Sequence, residues 1–180
     1  ISAFLKGGGQ VNLPPQIQGK ITFQKVKVDF VEVPQPFNMP YGEMNFNNRS
    51  VSFFSSGAKL GEVPMELKLV LEDFSDPNLN SELKTKLNLA LLGKFVTFPE
   101  KTDLSGQADI NVKAYGKIKR IGKMNLSGRV DLQKVVVSTP ALGVPIRNLK
   151  SGLVLKGEDM EISDLSLSLG KYSLNLQGKV

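Results

Sequence analysis

Hydrophobic and polar residues alternate with a period of two along most of the chain. In one run Met124, Leu126, Val130 and Leu132 are separated by polar or charged residues. The same alternation covers residues 63–71, 104–114 and 165–176. Because successive side chains of a strand point to opposite faces, each run predicts a strand with one apolar and one polar face. Strands with one wet face are typical of antiparallel pairing, so we expect a mainly antiparallel all-β fold.

One segment departs from this alternation. The apolar residues between positions 87 and 98 have helical spacing, and Pro99 prevents a helix from continuing. We expect a strand over about 81–89 that leads into one short helix near 90–96.

Two parts of the chain repeat each other. Residues 19–28 align with residues 128–137 at an offset of 109, and five of the ten positions are identical. The pair Leu60-Gly61 matches Leu169-Gly170 at the same offset. We therefore divide one continuous domain into a linker and entry strand (1–18), a first β-repeat (19–73), connecting strands with the short helix (74–126) and a second β-repeat (128–180).

The alternation slips by one residue at the same place in each repeat. Ile21 and Phe23 are followed by Val26 one position out of phase, and the slip falls at Gln24 in the first repeat and Gln133 in the second. An extra residue that restores the apolar face is what a β-bulge provides. Because bulges bend strands, the pattern predicts a curved, duplicated meander.

The composition excludes many chemistries. The 180 residues include no Cys, His or Trp, so disulfides, thiol nucleophiles, imidazole bases and Cys/His zinc sites are impossible. The acidic clusters at 73–76 and 158–161 lack calcium-loop spacing and have ordinary turn chemistry. We therefore predict no catalytic, cofactor-binding or metal-binding residues, no cofactor, and no enzymatic activity.

The net charge of +6 favours anionic partners such as phospholipid headgroups or nucleic acid. The one dense basic patch consists of Lys117, Lys119, Arg120 and Lys123. We interpret it as a solvated turn or a strand edge protected by lysines. Nucleic-acid binding would also need clustered aromatic residues, which the sequence lacks, so we predict no nucleic-acid partner.

Three segments, at 126–137, 143–155 and 160–170, share a soft but repeated pattern. A strand opens with glycine, a proline-containing link follows, and further amphipathic strands end in glycine. This pattern resembles the AsmA-like family of bacterial envelope proteins, to which TamB-type proteins are related. The resemblance covers nearly the whole chain and is made of strand pattern and glycine placement.

The resemblance implies a non-catalytic protein. Members of the family are anchored in the inner membrane by an N-terminal helix and project β-structure into the periplasm, with roles in phospholipid transport or in outer-membrane assembly and maintenance. The implied partners are phospholipid acyl chains, the inner membrane and flanking repeats of the same protein. The chain begins at Ile1 and contains no anchor, so we expect it to be a periplasmic segment of a longer protein.

Acyl chains would lie on a concave apolar sheet face. The residues expected to face lipid are Ile21, Phe23, Met65, Leu67, Val130, Leu132, Leu165, Leu167, Leu174 and Leu176. The same side chains would also suit the sealed core of an ordinary sandwich or barrel, and the sequence leaves both readings open. An alternative function is a structural or adhesive cell-surface module that binds protein or carbohydrate, although the chain offers no Trp and three Tyr for stacking on sugars. A glycosidase is a more distant third possibility.

Overall fold

A computed structural model describes residues 2–8, 15–29, 31 and 34–176 of the chain. They form one 11-stranded antiparallel sheet in which every strand pairs with its neighbours in sequence. The strands are β1 (Ser2–Gly8), β2 (Gln16–Val28), β3 (Phe37–Asn47), β4 (Ser50–Leu60), β5 (Val63–Glu72), β6 (Asn78–Asn88), β7 (Asp103–Lys117), β8 (Asn125–Ser138), β9 (Ile146–Gly157), β10 (Asp159–Leu169) and β11 (Tyr172–Leu176). The expected all-β antiparallel class is confirmed.

The connections include three 3₁₀ segments: η1 (Leu89–Lys94), η2 (Ile118–Lys123) and η3 (Pro140–Leu142). The helix expected near 90–96 is η1, and it is 3₁₀ in type. The Asn88 side chain accepts a hydrogen bond from the Ala90 N–H at its start, and the Phe95 N–H donates to the Leu92 carbonyl at its end. Six residues make less than two α-helical turns, so the tighter form is the usual outcome for so short a segment.

The two repeats have the same strand positions. Strands β3, β4 and β5 begin at 37, 50 and 63, and strands β9, β10 and β11 begin at 146, 159 and 172. Each difference is 109 (146 − 37, 159 − 50 and 172 − 63). The domain division remains a prediction, but equal spacing of three consecutive strands is what a duplicated meander requires. The end of the second repeat, at 177–180, lies outside the described residues.

The two slips in alternation have related geometry. Lys25 and Lys134 both adopt positive φ, at 52° and 50°. In β8 the register with β7 shifts between Ser105 and Gln107, opposite Gln133, which is the expected bulge. In β2 the register with β3 continues unbroken past Lys25, so the bulge expected at Gln24 does not appear in that ladder. The first repeat instead shifts register between β4 and β5, after Ser55.

Buried apolar side chains lie toward one end of the sheet. We call it the η1 end, where β6 stops and β7 begins, and call the opposite end, where β7 stops and β8 begins, the η2 end. The buried hydrophobic residues of the described chain are Met39, Ala58, Val63, Leu89, Ala108 and Val135. All six are in the half of the sheet nearer the η1 end or in η1 itself.

Candidate functional site

One face of the sheet is apolar from β2 to β10. Direct cross-strand partners point their side chains to the same side of a sheet. A single row of such partners crosses nine strands as Phe23, Gly42, Ser55, Leu67, Leu83, Val112, Gly128, Leu155 and Met160. We call the surface that contains this row the apolar face.

The structure brings the ten sequence-predicted residues onto this face. Ile21, Met65, Val130 and Leu132 are an even number of residues from row members on the same strands, so they share its side. The remaining four belong to β10 and β11. The alternation in β10 shifts by one residue near Asp164, which has positive φ, and this shift brings Leu165 and Leu167 to the apolar side. Leu165 pairs with Leu176 and Leu167 with Leu174. That these side chains contact lipid stays a prediction, as does the concave shape of the face.

Most of the apolar face has no second layer over it. None of the ten residues is buried, and Leu174 and Leu176 remain 44% and 52% exposed. Residue contacts in the described part of the sheet run chiefly between adjacent strands and from η1 and η2 to β6 and β7. Over the described residues the sheet therefore neither closes on itself nor folds over into a sandwich.

The total accessible surface agrees with an uncovered face. The chain exposes 12513 Å². A compact monomer of 19.7 kDa exposes about 8,600 Å² by the usual mass scaling. The excess of about 3,900 Å² is total surface, apolar and polar together, and it agrees with a single-layer sheet whose two faces are both largely uncovered.

At the η1 end a small core covers part of the apolar face. Leu89 of η1 packs with Ala108 and Val135, and Leu92 and Leu132 adjoin them. η1 is also tied to the turn between β4 and β5, because the Lys94 Nζ lies 2.6 Å from the Glu62 Oε1. In the first repeat Met39 lies against Gly42, which belongs to the cross-strand row. This core covers the middle of the η1 end, over β7 and β8, whereas Leu169 and Tyr172 at the same end remain 38% and 68% exposed.

At the η2 end the face stays open. Leu126 of β8, Met160 of β10 and Ile118 of η2 are each more than a third exposed. A side chain on Gly116 would meet Met124, so the chain that leaves η2 passes over the apolar side of β7. The exposed η2 end of the apolar face therefore adjoins η2, a short segment rich in basic residues.

The opposite, polar face of the sheet carries charged pairs. The Lys20 Nζ lies 2.6 Å from Glu43, and hydrogen bonds from Lys20 and Asn45 lower the pKa of Glu43 to about 2. The Arg129 guanidinium similarly lowers the pKa of Asp131. These carboxylates stay ionised at neutral pH and are matched to cations, which suits a solvated surface rather than acid–base chemistry.

Other kinds of site receive no support from the described residues. They hold no cluster of three acidic side chains placed to bind a metal ion. No helix among them is long and apolar enough to cross a membrane. The absence of enzymatic activity, cofactors and metals stays a prediction.

The sequence alone did not assign several residues to the apolar face. Met44 and Phe53 pair directly beside Ile21, and Leu83 and Leu155 belong to the cross-strand row. The alternation of apolar and polar residues within β6 and β9 indicates that Leu83 and Leu155 lie on this face. The position of η2 at the open end has no such signal, because six residues of an irregular turn show no period.

No protein-family model, curated protein or solved structure matches this chain.

Proposed function

We propose that the chain is a non-catalytic periplasmic segment of an AsmA-like, membrane-anchored envelope protein that shelters phospholipid acyl chains. In the full-length protein this activity would serve phospholipid transport or outer-membrane assembly and maintenance. The observation that carries the proposal is the apolar face, which crosses nine strands and lacks a covering layer over most of its area. The family and the periplasmic location rest on the resemblance described above.

The chemistry of the face suits acyl chains. Its side chains are mostly Leu, Val, Ile, Met and Phe, with Gly and Ser between them, and they present few directional hydrogen-bonding groups. Each methylene group removed from water contributes about 0.8 kcal/mol, so an acyl chain gains affinity from length rather than from a specific contact. A sugar or a polar peptide would find few partners on such a surface.

The proposal is tested by purifying the chain without detergent and identifying co-purified lipids by mass spectrometry. The chain should carry diacyl phospholipid, and Leu167→Asp should reduce the amount because it places a charge on the apolar face. Ser166→Asp is the matched control, since Ser166 pairs with Lys150 and points to the polar face. The control variant should retain the lipid of the parent chain.

Circular dichroism distinguishes loss of binding from loss of folding. A folded Leu167→Asp chain that carries as much lipid as the parent contradicts the proposal. If this variant unfolds, Leu167→Ser provides the test, because a small uncharged polar side chain perturbs folding less and should still reduce the bound lipid. Absence of lipid from the folded parent chain, together with no uptake from added vesicles, also contradicts the proposal.

A further inference from the structure

The η2 end combines exposed apolar side chains with cations that form no ion pair within 4 Å in the described part of the chain. Within the described chain, Lys117 pairs with Asp76 at 2.6 Å. No described carboxylate oxygen lies within 4 Å of the charged nitrogens of Lys119, Arg120 or Lys123. All three of these residues are exposed.

Positive charge therefore accumulates beside the open end of the apolar face. The nearest acidic groups are already engaged, because Asp76 binds Lys117 and Asp73 accepts hydrogen bonds from the backbone and side chain of Ser75. Lys117 chiefly, and Lys119 to a smaller extent, lower the pKa of Asp76, so Asp76 lies near both of these cations. At the opposite end, η1 covers the apolar face over β7 and β8.

We infer that Lys119, Arg120 and Lys123 form the headgroup site for an anionic amphiphile whose acyl chain lies on the apolar face and points toward η1. The inference rests on the proposed function and adds to it a preferred headgroup charge and a direction. A cationic rim next to an apolar surface is complementary to an anionic headgroup joined to a hydrocarbon tail.

The length of β7 agrees with this arrangement. From Lys117 to Ala108, where the buried cluster begins, the strand takes nine steps (117 − 108). At about 3.4 Å per residue the distance is about 30 Å. One leaflet of a bilayer is about half of a 30 Å hydrocarbon core, so a tail that starts at η2 ends before it reaches η1.

The experiment compares two single-chain lipids with the same palmitoyl tail, lysophosphatidylglycerol and lysophosphatidylcholine, below their micellar concentrations. The parent chain should bind the anionic lipid about tenfold more tightly, because nearby basic residues attract an anionic headgroup. The triple variant Lys119→Gln, Arg120→Gln, Lys123→Gln should lose this preference to within about twofold and keep its affinity for lysophosphatidylcholine. Free glycerol phosphate should not compete, since the tail supplies most of the affinity.

The matched control neutralises three exposed cations at the η1 end, with Lys59→Gln, Arg147→Gln and Lys171→Gln. Both triple variants lower the net charge from +6 to +3 (6 − 3), so they have equal long-range electrostatics. The control should keep the preference for the anionic lipid. A control that loses it equally shows an effect of net charge and overturns the site.

The direction of the tail has its own measurement. A nitroxide near the acyl terminus of lysophosphatidylglycerol should broaden the amide signals of Ile110 and Val112 more than those of Leu126. Stronger broadening at Leu126 overturns the direction. Equal affinity for both lipids overturns the headgroup site but leaves the proposed function standing, whereas binding of neither lipid overturns both. Competition by free glycerol phosphate assigns the site to a soluble phosphate and also overturns the inference.

Discussion

Lys25 and Lys134 occupy the left-handed region of backbone conformation, where residues other than glycine and asparagine are uncommon. The sequence predicts a bulge at each site, because the apolar alternation slips by one residue there. The slip in alternation does not show with which neighbouring strand the register changes. The ladder with β3 passes Lys25 without a shift in register, whereas the ladder with β7 shifts at Lys134.

A glycine at position 134 should relieve the strain of this conformation. We expect Lys134→Gly to leave the free energy of unfolding unchanged or to raise it by up to about 1 kcal/mol. The control is Lys113→Gly, at an exposed position in a regular part of β7. This control should lower the free energy of unfolding by about 0.5–1 kcal/mol, because glycine weakens a regular strand. Urea denaturation of both variants is the measurement, and equal losses would contradict strain at Lys134.

At the scale of elements, strands were predictable and the irregular segments were not. The alternating runs at 63–71 and 104–114 correspond to β5 and β7, because a half-exposed strand must separate polar from apolar side chains. The helical spacing near 90 gave the position of η1 but not its 3₁₀ geometry. The sequence predicts a turn or a strand edge for the basic patch from Lys117 to Lys123, and the position of this patch beside the apolar face depends on tertiary structure.

The segment η1 should contribute measurably to stability, because it supplies a buried side chain to the small core. We expect Leu89→Ala to lower the free energy of unfolding by about 2–4 kcal/mol. Val96→Ala is the control. Val96 is 50% exposed, and its replacement should change stability by less than about 0.5 kcal/mol. Hydrogen exchange should also become faster at Leu104 and Ala108 in the Leu89→Ala variant, and unchanged exchange there would contradict packing of η1 on β7.

At the scale of the whole molecule, alternation could not distinguish a sealed core from an open face. A strand in a sandwich and a strand in an open sheet have the same pattern, since the difference lies in what covers the apolar side. The structure contains some of both: Leu89 and its neighbours cover the face over β7 and β8 near η1, and the face is uncovered at Leu126, Met160 and Leu169. The sequence therefore predicts which residues share the apolar face. It does not predict which parts of that face are covered and which are exposed.

The uncovered face makes a prediction for unfolding by urea, because the slope of unfolding free energy against denaturant concentration scales with the surface newly exposed. An unfolded chain of 19.7 kDa exposes about 28,600 Å², so unfolding from 12513 Å² exposes about 16,000 Å². A compact protein of the same mass, starting from about 8,600 Å², would expose about 20,000 Å². We therefore expect a slope about four-fifths of the compact value, measured by circular dichroism at several protein concentrations. A full compact slope that does not change with concentration would mean that the monomer covers its own apolar face in solution, which would contradict the open sheet and remove the surface proposed to hold lipid.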